Sequence, residues 1–183
     1  VTVSDVRLAG EGLVLRGWTY DDVPAMAVLF DDPQVARFTP LVSPFDAKAA
    51  RDYLDRAREA CATGRRIQLA ITTDGAEPLG EVLMFATDND PYAVEIGYAI
   101  GPRHRRQGLA ARAVRLATAH AYGALGARRV LLRIEAANAP SRAVARATGF
   151  AIADTAPIER GGVTLDTWRH TAPPAQGGTR AGR

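Results

Sequence analysis

The sequence predicts an α/β fold in which helices flank a mixed central β-sheet, and three observations carry that expectation. From Thr19 to Gly64 apolar residues keep helical spacing, and then they switch to the tighter alternation of strands. Two strand-like runs flank Asp74 and Gly75, a residue pair suited to a hairpin turn. Beyond Ile100, helical and strand-like segments alternate, a pattern of strand-helix-strand units.

The elements follow in chain order. Leu13 to Trp18 is a short β-rich run. Thr19, Asp21 and Asp22 offer caps to a helix with Pro24 in its first turn and Val23, Met26, Ala27 and Phe30 on one face. A second short helix follows Pro33. Asp46 caps a long polar helix that turns Tyr53, Leu54 and Ala57 inward and stops at Gly64. Ile67 to Thr72 and Pro78 to Phe85 form the hairpin, Asp88 to Pro91 reads as a loop, and Ala93 to Ile100 is a third strand. Gly108 opens a helix through Leu125 that Gly126 ends, and Arg129 to Ile134 is a strand. Pro140 to Thr148 is a helix closed by Gly149. Phe150 to Ile158 and Val163 to Trp168 make a last hairpin across Gly161 and Gly162. A single domain is expected over residues 1–170, with a disordered tail over 171–183, which carries two Pro, three Gly and no large apolar residue.

Composition excludes several classes. The 183 residues are 47% hydrophobic with 17 Gly and 11 Pro, which rules out collagen-like and disordered chains. One cysteine, Cys61, rules out a disulfide scaffold and fits a reducing compartment. No apolar run approaches the ~20 residues that span a bilayer. Val1 to Gly10 lacks the basic and apolar parts of a signal peptide, so a soluble cytoplasmic protein is expected. His104, His120 and His170 are scattered without metal-ligand spacing, and no metal is expected. The net charge of +3 conceals an asymmetry. Residues 1–99 hold sixteen acidic and nine basic residues (−7), whereas residues 100–183 hold four acidic residues and fourteen Arg (+10). That split predicts an anionic ligand for the second half and a cationic one for the first.

Arg105 to Ala110 lies between a predicted strand and a predicted helix, where the chemistry is anion capture. Gly108 lets backbone pass close to a ligand, the helix start offers unpaired N–H groups, and the arginines add phosphate donors. A diphosphate is the natural guest. Neither the Gly-x-x-x-x-Gly-Lys-Ser/Thr phosphate loop nor the Gly-x-Gly-x-x-Gly dinucleotide fingerprint is present.

Tyr98 to Ala110, with Pro102 three residues before Arg105 and then Gly108 and Ala110, resembles the acyl-CoA signature Arg/Gln-x-x-Gly-x-Gly/Ala of the Gcn5-related N-acetyltransferases (GNAT). Glu95 to Tyr98, Ala121 to Gly126 with Arg129, Asn138 to Ser141, Thr148 to Phe150, Glu159 and Asp166 are similar to the branch that acetylates ribosomal-protein N-termini (RimJ/RimL-like). The resemblance runs from about Leu13 to His170 and implies a central sheet splayed at the acyl-CoA site. It implies that the amides of Arg106, Gln107, Gly108, Leu109 and Ala110 hold the pyrophosphate of acetyl-CoA, with Arg105 and Arg106 lining its approach. It further implies that the strand through Tyr98 and Ile100 pairs with the pantetheine arm, that Asn138 contacts that arm, and that Ser141 lies near the thioester sulfur. Read from the residues alone, Asn138 and Ser141 could equally cap the following helix.

Amine acetylation needs a neutral amine, a donor for the developing oxyanion and a proton for the leaving thiolate. Glu95 and Glu159 compete as the base, Glu95 slightly ahead, with Glu81 a third candidate. Many relatives carry a tyrosine four residues before the Gly149-Phe150 pair, where this chain has Ala145. The proton must then come from Ser141, Tyr98 or water, and Ser141 is the first choice. Cys61 is read as a small helix residue. The expected activity is direct acetyl transfer from acetyl-CoA to a primary amine, either a protein or peptide N-terminal α-amine or a small cationic amine. The alternatives are a non-catalytic acyl-CoA sensor and, with less support, a nucleic-acid binder. No membrane partner is expected, and either a monomer or a homodimer fits.

Overall fold

A computed structural model describes residues 6–87 and 90–170. The expected tail, Val1 to Asp5, and the Asp88-Asn89 part of the expected loop lie outside the described residues. The sheet contains β1 (Leu8–Gly10), β2 (Leu13–Gly17), β3 (Arg66–Thr72), β4 (Gly80–Thr87), β5 (Asp90–Ile100), β6 (Arg129–Ile134), β7 (Phe150–Ile152), β8 (Ile158–Arg160) and β9 (Val163–His170). Its strand order is β1-β2-β3-β4-β5-β6-β9-β7, with β8 also paired to β9. β5 and β6 are parallel and the other pairs antiparallel, so the sheet is mixed as expected.

Helices cover both faces. α1 (Val23–Phe30), α2 (Pro33–Phe38) and α3 (Ala47–Ala62) lie on one side, α4 (Leu109–Gly123) and α5 (Ala139–Ala147) on the other. Caps set the starts: Asp32 Oδ1 accepts from the Gln34 and Val35 amides, and Asp46 Oδ1 from the Ala49 amide. Trp18, Met26, Phe30, Phe45 and Leu54 bury against Ala70 and Ala99 on the α1–α3 side. Val82, Met84, Ile96, Leu109, Val114, Leu132 and Trp168 form the core on the α4 side. Each large buried side chain contributes about 1.5–3 kcal/mol, which makes these two layers the scaffold that holds the sheet's shape.

Four segments depart from the sequence reading. β1 was not expected, because its three residues carry one large apolar side chain; the Glu11-Gly12 turn, with positive φ at both residues, folds it onto β2. β5 begins at Asp90 rather than Ala93, and Arg129 clamps the Asp90 carboxylate at 2.6 Å. α4 stops at Gly123, short of Leu125, which is 42% exposed and gives a further turn nothing to bury. The strand expected from Phe150 to Ile158 is broken into β7 and β8, which pair with opposite ends of β9. Pro157, lacking an N–H, sits in the gap.

The end of the β5–β6 ladder shapes the candidate site. β5 pairs with β6 at Ala93–Arg129, Val94–Val130 and Glu95–Leu131, and there the pairing ends. β5 nevertheless continues along β4 to Ile100, and β6 continues along β9 to Ile134. The two strands diverge into a wedge, leaving the β6-facing backbone of Ile96 to Ile100 without a strand partner.

Candidate active site

The wedge opens toward the Arg105–Ala110 segment, which leaves β5 through Gly101 and a short turn over Pro102–His104. Arg106 (φ 61°) and Gly108 (φ 72°) both adopt left-handed backbone, and Gly108 is the cap residue of α4. A Cβ built on Gly108 meets nothing within 4 Å, so the space above it is an open cradle that a side chain would fill. The first helical bond runs from the Arg112 amide to the Gly108 carbonyl. Among the described residues the N–H groups of Arg106 through Ala111 therefore have no hydrogen-bond acceptor, and they line the positive end of the helix. Leu109, 1% exposed, anchors this helix start in the core.

Arg105 does not face that cradle freely. Its guanidinium bonds Asp32 at 2.5 Å, Gln34 at 2.6 Å and the Ile100 carbonyl at 3.2 Å. It braces the loop against the start of α2, while Arg106 and Gln107 remain exposed at the rim.

On β5 the register against β4 runs unbroken from Val94 to Ile100. Simple alternation therefore holds: Ile96, Tyr98 and Ile100 face α4, while Glu95, Gly97 and Ala99 face the α1–α3 side. The Tyr98 hydroxyl is buried and makes no hydrogen bond of ordinary geometry. Burial pushes its pKa up to about 12, and the neighbouring Ser141 hydroxyl offsets part of that rise. Asn138 caps α5, its Oδ1 accepting from the Ser141 amide at 3.1 Å. That leaves the Ser141 hydroxyl beside Tyr98 rather than in the cap. Ala145, one turn further along α5, is completely buried.

Glu95 is 4% exposed and lies where the β5–β6 ladder ends. Arg160 of β8 donates to both its oxygens, at 2.6 and 2.9 Å, and Arg133 of β6 approaches at 3.8 Å. Glu159, the neighbour of Arg160, points to the opposite face of its strand by alternation and accepts instead from the Thr164 hydroxyl. The structure thus brings Arg160, not Glu159, to Glu95. Sequence reasoning missed Arg160 and Arg133; alternation along β8 was the available signal, but it needed the strand break to be seen first.

Glu81 shares the Glu95 face. It is 2% exposed, with the Tyr53 hydroxyl donating at 2.8 Å and the Gln68 amide at 3.0 Å. Burial raises its pKa to about 7 against the opposing pull of those donors. Beyond the wedge, Arg37 of α2 pairs with Glu135 after β6. An open pocket of about 540 Å³ lies between α2, the β6–α5 loop and the β8–β9 turn, lined by Arg37, Glu135, Thr164 and Asp166 among others. Burial raises the Cys61 thiol pKa, the reverse of what an activated nucleophile needs. No metal-binding cluster of His, Cys, Asp and Glu occurs among the described residues, and none of their helices is long and apolar enough to cross a membrane.

Ion pairs link the two halves of the charge asymmetry. Asp32–Arg105, Glu11–Arg115, Asp90–Arg129, Glu95–Arg160 and Arg37–Glu135 join residues 1–99 to residues 100–183. In four of these pairs an acidic residue of the first half meets an arginine of the second, so part of the opposite charge is paired within the fold.

A profile of the acetyltransferase (GNAT) domain matches residues 12–151. An uncharacterized N-acetyltransferase, p20, from Bacillus licheniformis is 25% identical over 132 residues, covering 72% of this chain and 74% of that protein. Among solved structures, RimJ from Mycobacterium smegmatis in complex with CoA-disulfide superposes with a TM-score of 0.75 at 20% identity, over 90% of this chain and 84% of that one. A ribosomal-protein-S5-alanine acetyltransferase from Vibrio fischeri superposes with a TM-score of 0.72 at 20% identity, over 90% and 94% of the two chains.

Proposed function

This chain belongs to the GNAT acetyltransferase family, and from that premise we propose that it moves an acetyl group from acetyl-CoA to a primary amine by direct attack on the thioester. The observation that carries the reading is the wedge between β5 and β6, opening onto the unpaired amides of Arg106 to Ala111. An extended, amide-bearing arm fits the free edge of β5, and a pyrophosphate fits the cradle above Gly108. Acetyl-CoA supplies the activated thioester. Residues Tyr98, Ile100, Arg106, Gln107, Gly108, Leu109 and Ala110 would hold it, Asn138 would shape the turn beside its arm, and Arg105 would act as a brace.

The protein's own groups then have three tasks. Glu95 is our first assignment for the base, since its carboxylate stands at the apex of the wedge with Arg160 and Arg133 fixing its orientation. Glu159 ranks below it, because it is exposed and turned from Arg160. Unpaired N–H groups on β5 are available to a developing oxyanion. Ser141 and Tyr98 would donate to the departing thiolate. A thiol pKa of about 8.5 means a hydrogen bond can suffice for departure, and Tyr98, at about 12, keeps its proton at neutral pH. Their joint presence offsets the loss of a tyrosine at Ala145.

The acceptor is proposed to be a peptide α-amine, a choice supported by the fold shared with a protein named as a ribosomal-protein-S5-alanine acetyltransferase. A small cationic amine is the second reading, favoured by the carboxylates Glu135 and Asp166 in the open pocket. The test is thiol release from acetyl-CoA with free-amine peptides beside a panel of small amines. Turnover with peptides alone supports the first acceptor class and with small amines alone the second. Binding of acetyl-CoA with no thiol release from either panel would favour a sensor.

A further inference from the structure

Gly97 lies in the interior of β5, where glycine weakens a strand, and neither usual excuse for it applies. Its φ lies outside the left-handed region, and a Cβ built there meets only Leu83 Cδ1 at 3.5 Å and Phe85 Cε1 at 3.9 Å, both ordinary contacts. Gly80 is a contrasting case, because a Cβ there would collide with the Ala99 carbonyl. A Cβ is accommodated at position 97, yet the position is bare.

Its surroundings show what the bareness leaves open. Glu95 and Ala99, two residues away on either side along the same face, are buried, whereas Gly97 is partly exposed. Leu83 stands opposite on β4, and Glu81, opposite Ala99, is the diagonal neighbour. Toward β6 nothing stands opposite, because the ladder ends two residues earlier at Glu95–Leu131. Gly97 is thus a notch at the wedge, with the Cα of Glu95 about 7 Å away along the strand and that of Glu81 at about the diagonal spacing.

We propose that Gly97 is the specificity-determining position through which the acceptor amine reaches the thioester, its absent side chain being the space the amine and its first carbons occupy. This rests on the acetyl-transfer reading above. An amine in the notch lies within reach of Glu95 directly or through one water. Position 97 would then set how bulky a carbon may bear the amine without touching the cofactor's own binding groups, which are the backbone edge of β5 and the amides of Arg106 to Ala111.

Two ligands test it without knowledge of the natural acceptor: S-acetonyl-CoA, which mimics the donor alone, and CoA whose sulfur carries a CH2–C(=O)–NH–propyl group, which adds a generic amine. Their affinities for the wild type, Gly97→Ala and Gly97→Val are compared by calorimetry, with melting temperature as the folding check. The Val variant should keep S-acetonyl-CoA affinity within about twofold and lose roughly tenfold or more for the amide-bearing analogue, with Ala intermediate. The melting temperature of the Ala variant should equal or exceed that of the wild type. Equal affinity ratios in all three proteins, or parallel loss of both ligands, would overturn the proposal. Failure of the wild type to bind S-acetonyl-CoA would instead overturn the acetyl-transfer reading on which it rests.

Discussion

The two faces of β5 are built of different materials. On the α4 face and at the strand's end, the candidate cofactor site is made mostly of backbone: the free edge of Ile96 to Ile100 and the amides of Arg106 to Ala111. On the α1–α3 face, the candidate acceptor site is made of side chains from β4, β5, β6 and β8: Glu81, Glu95, Arg133 and Arg160. A backbone site needs a particular local chain path, so it concentrates in a few consecutive residues. A side-chain site needs only that distant strands deliver the right groups to one face. Substitutions on the two faces should therefore fail in different ways.

The largest separation is expected from Gly108→Glu. Bulk and negative charge in the cradle should weaken CoA binding by at least ~100-fold, by displacing the pyrophosphate from the helix start. Calorimetry with CoA reads this directly, and near-wild-type affinity would break the assignment of the loop. Glu95→Gln should do the reverse, leaving CoA affinity intact and lowering thiol release by roughly a hundredfold to ten-thousandfold, the range for a lost general base. An unchanged rate in that variant would move the base elsewhere.

Glu81 sharpens the comparison through stability rather than rate. Its folded-state pKa of about 7 lies above the ordinary 4.5. The folded protein therefore holds a proton that the unfolded chain releases, and this contribution is complete below about pH 4.5 and lost as pH rises through about 7. The difference amounts to about 3 kcal/mol. Denaturant melts across pH 4.5–8 should show stability falling over that window, with the slope flattened in Glu81→Gln. The smallest effect is expected from Glu159→Gln, a change of less than about threefold in thiol release, because an exposed charge on the far side of β8 touches neither face of β5.

The same contrast explains what could be read in advance. The order of most elements was legible because spacing, caps and the Asp74-Gly75 turn are local signals, and the turn into α4 over Pro102–Ala110 was legible because consecutive residues build it. The Glu95–Arg160 pair was not, since its partners are 65 residues apart and their meeting depends on β8 breaking away from β7. The capping role of Asn138 could be narrowed only to a choice between cap and ligand contact, and the geometry of α5 shows the cap. The charge asymmetry was visible as arithmetic, but its use in pairing the two halves depended on which surfaces the fold brought together.

Amide hydrogen exchange with and without CoA tests the central claim most directly, because it reports on the backbone itself. The account predicts slowed exchange at Ile96 to Ile100 and at Arg106 to Ala111 on CoA addition, with α3 unaffected. CoA binding without protection in either segment, or with protection centred on the α1–α3 side, would contradict the wedge as the cofactor site.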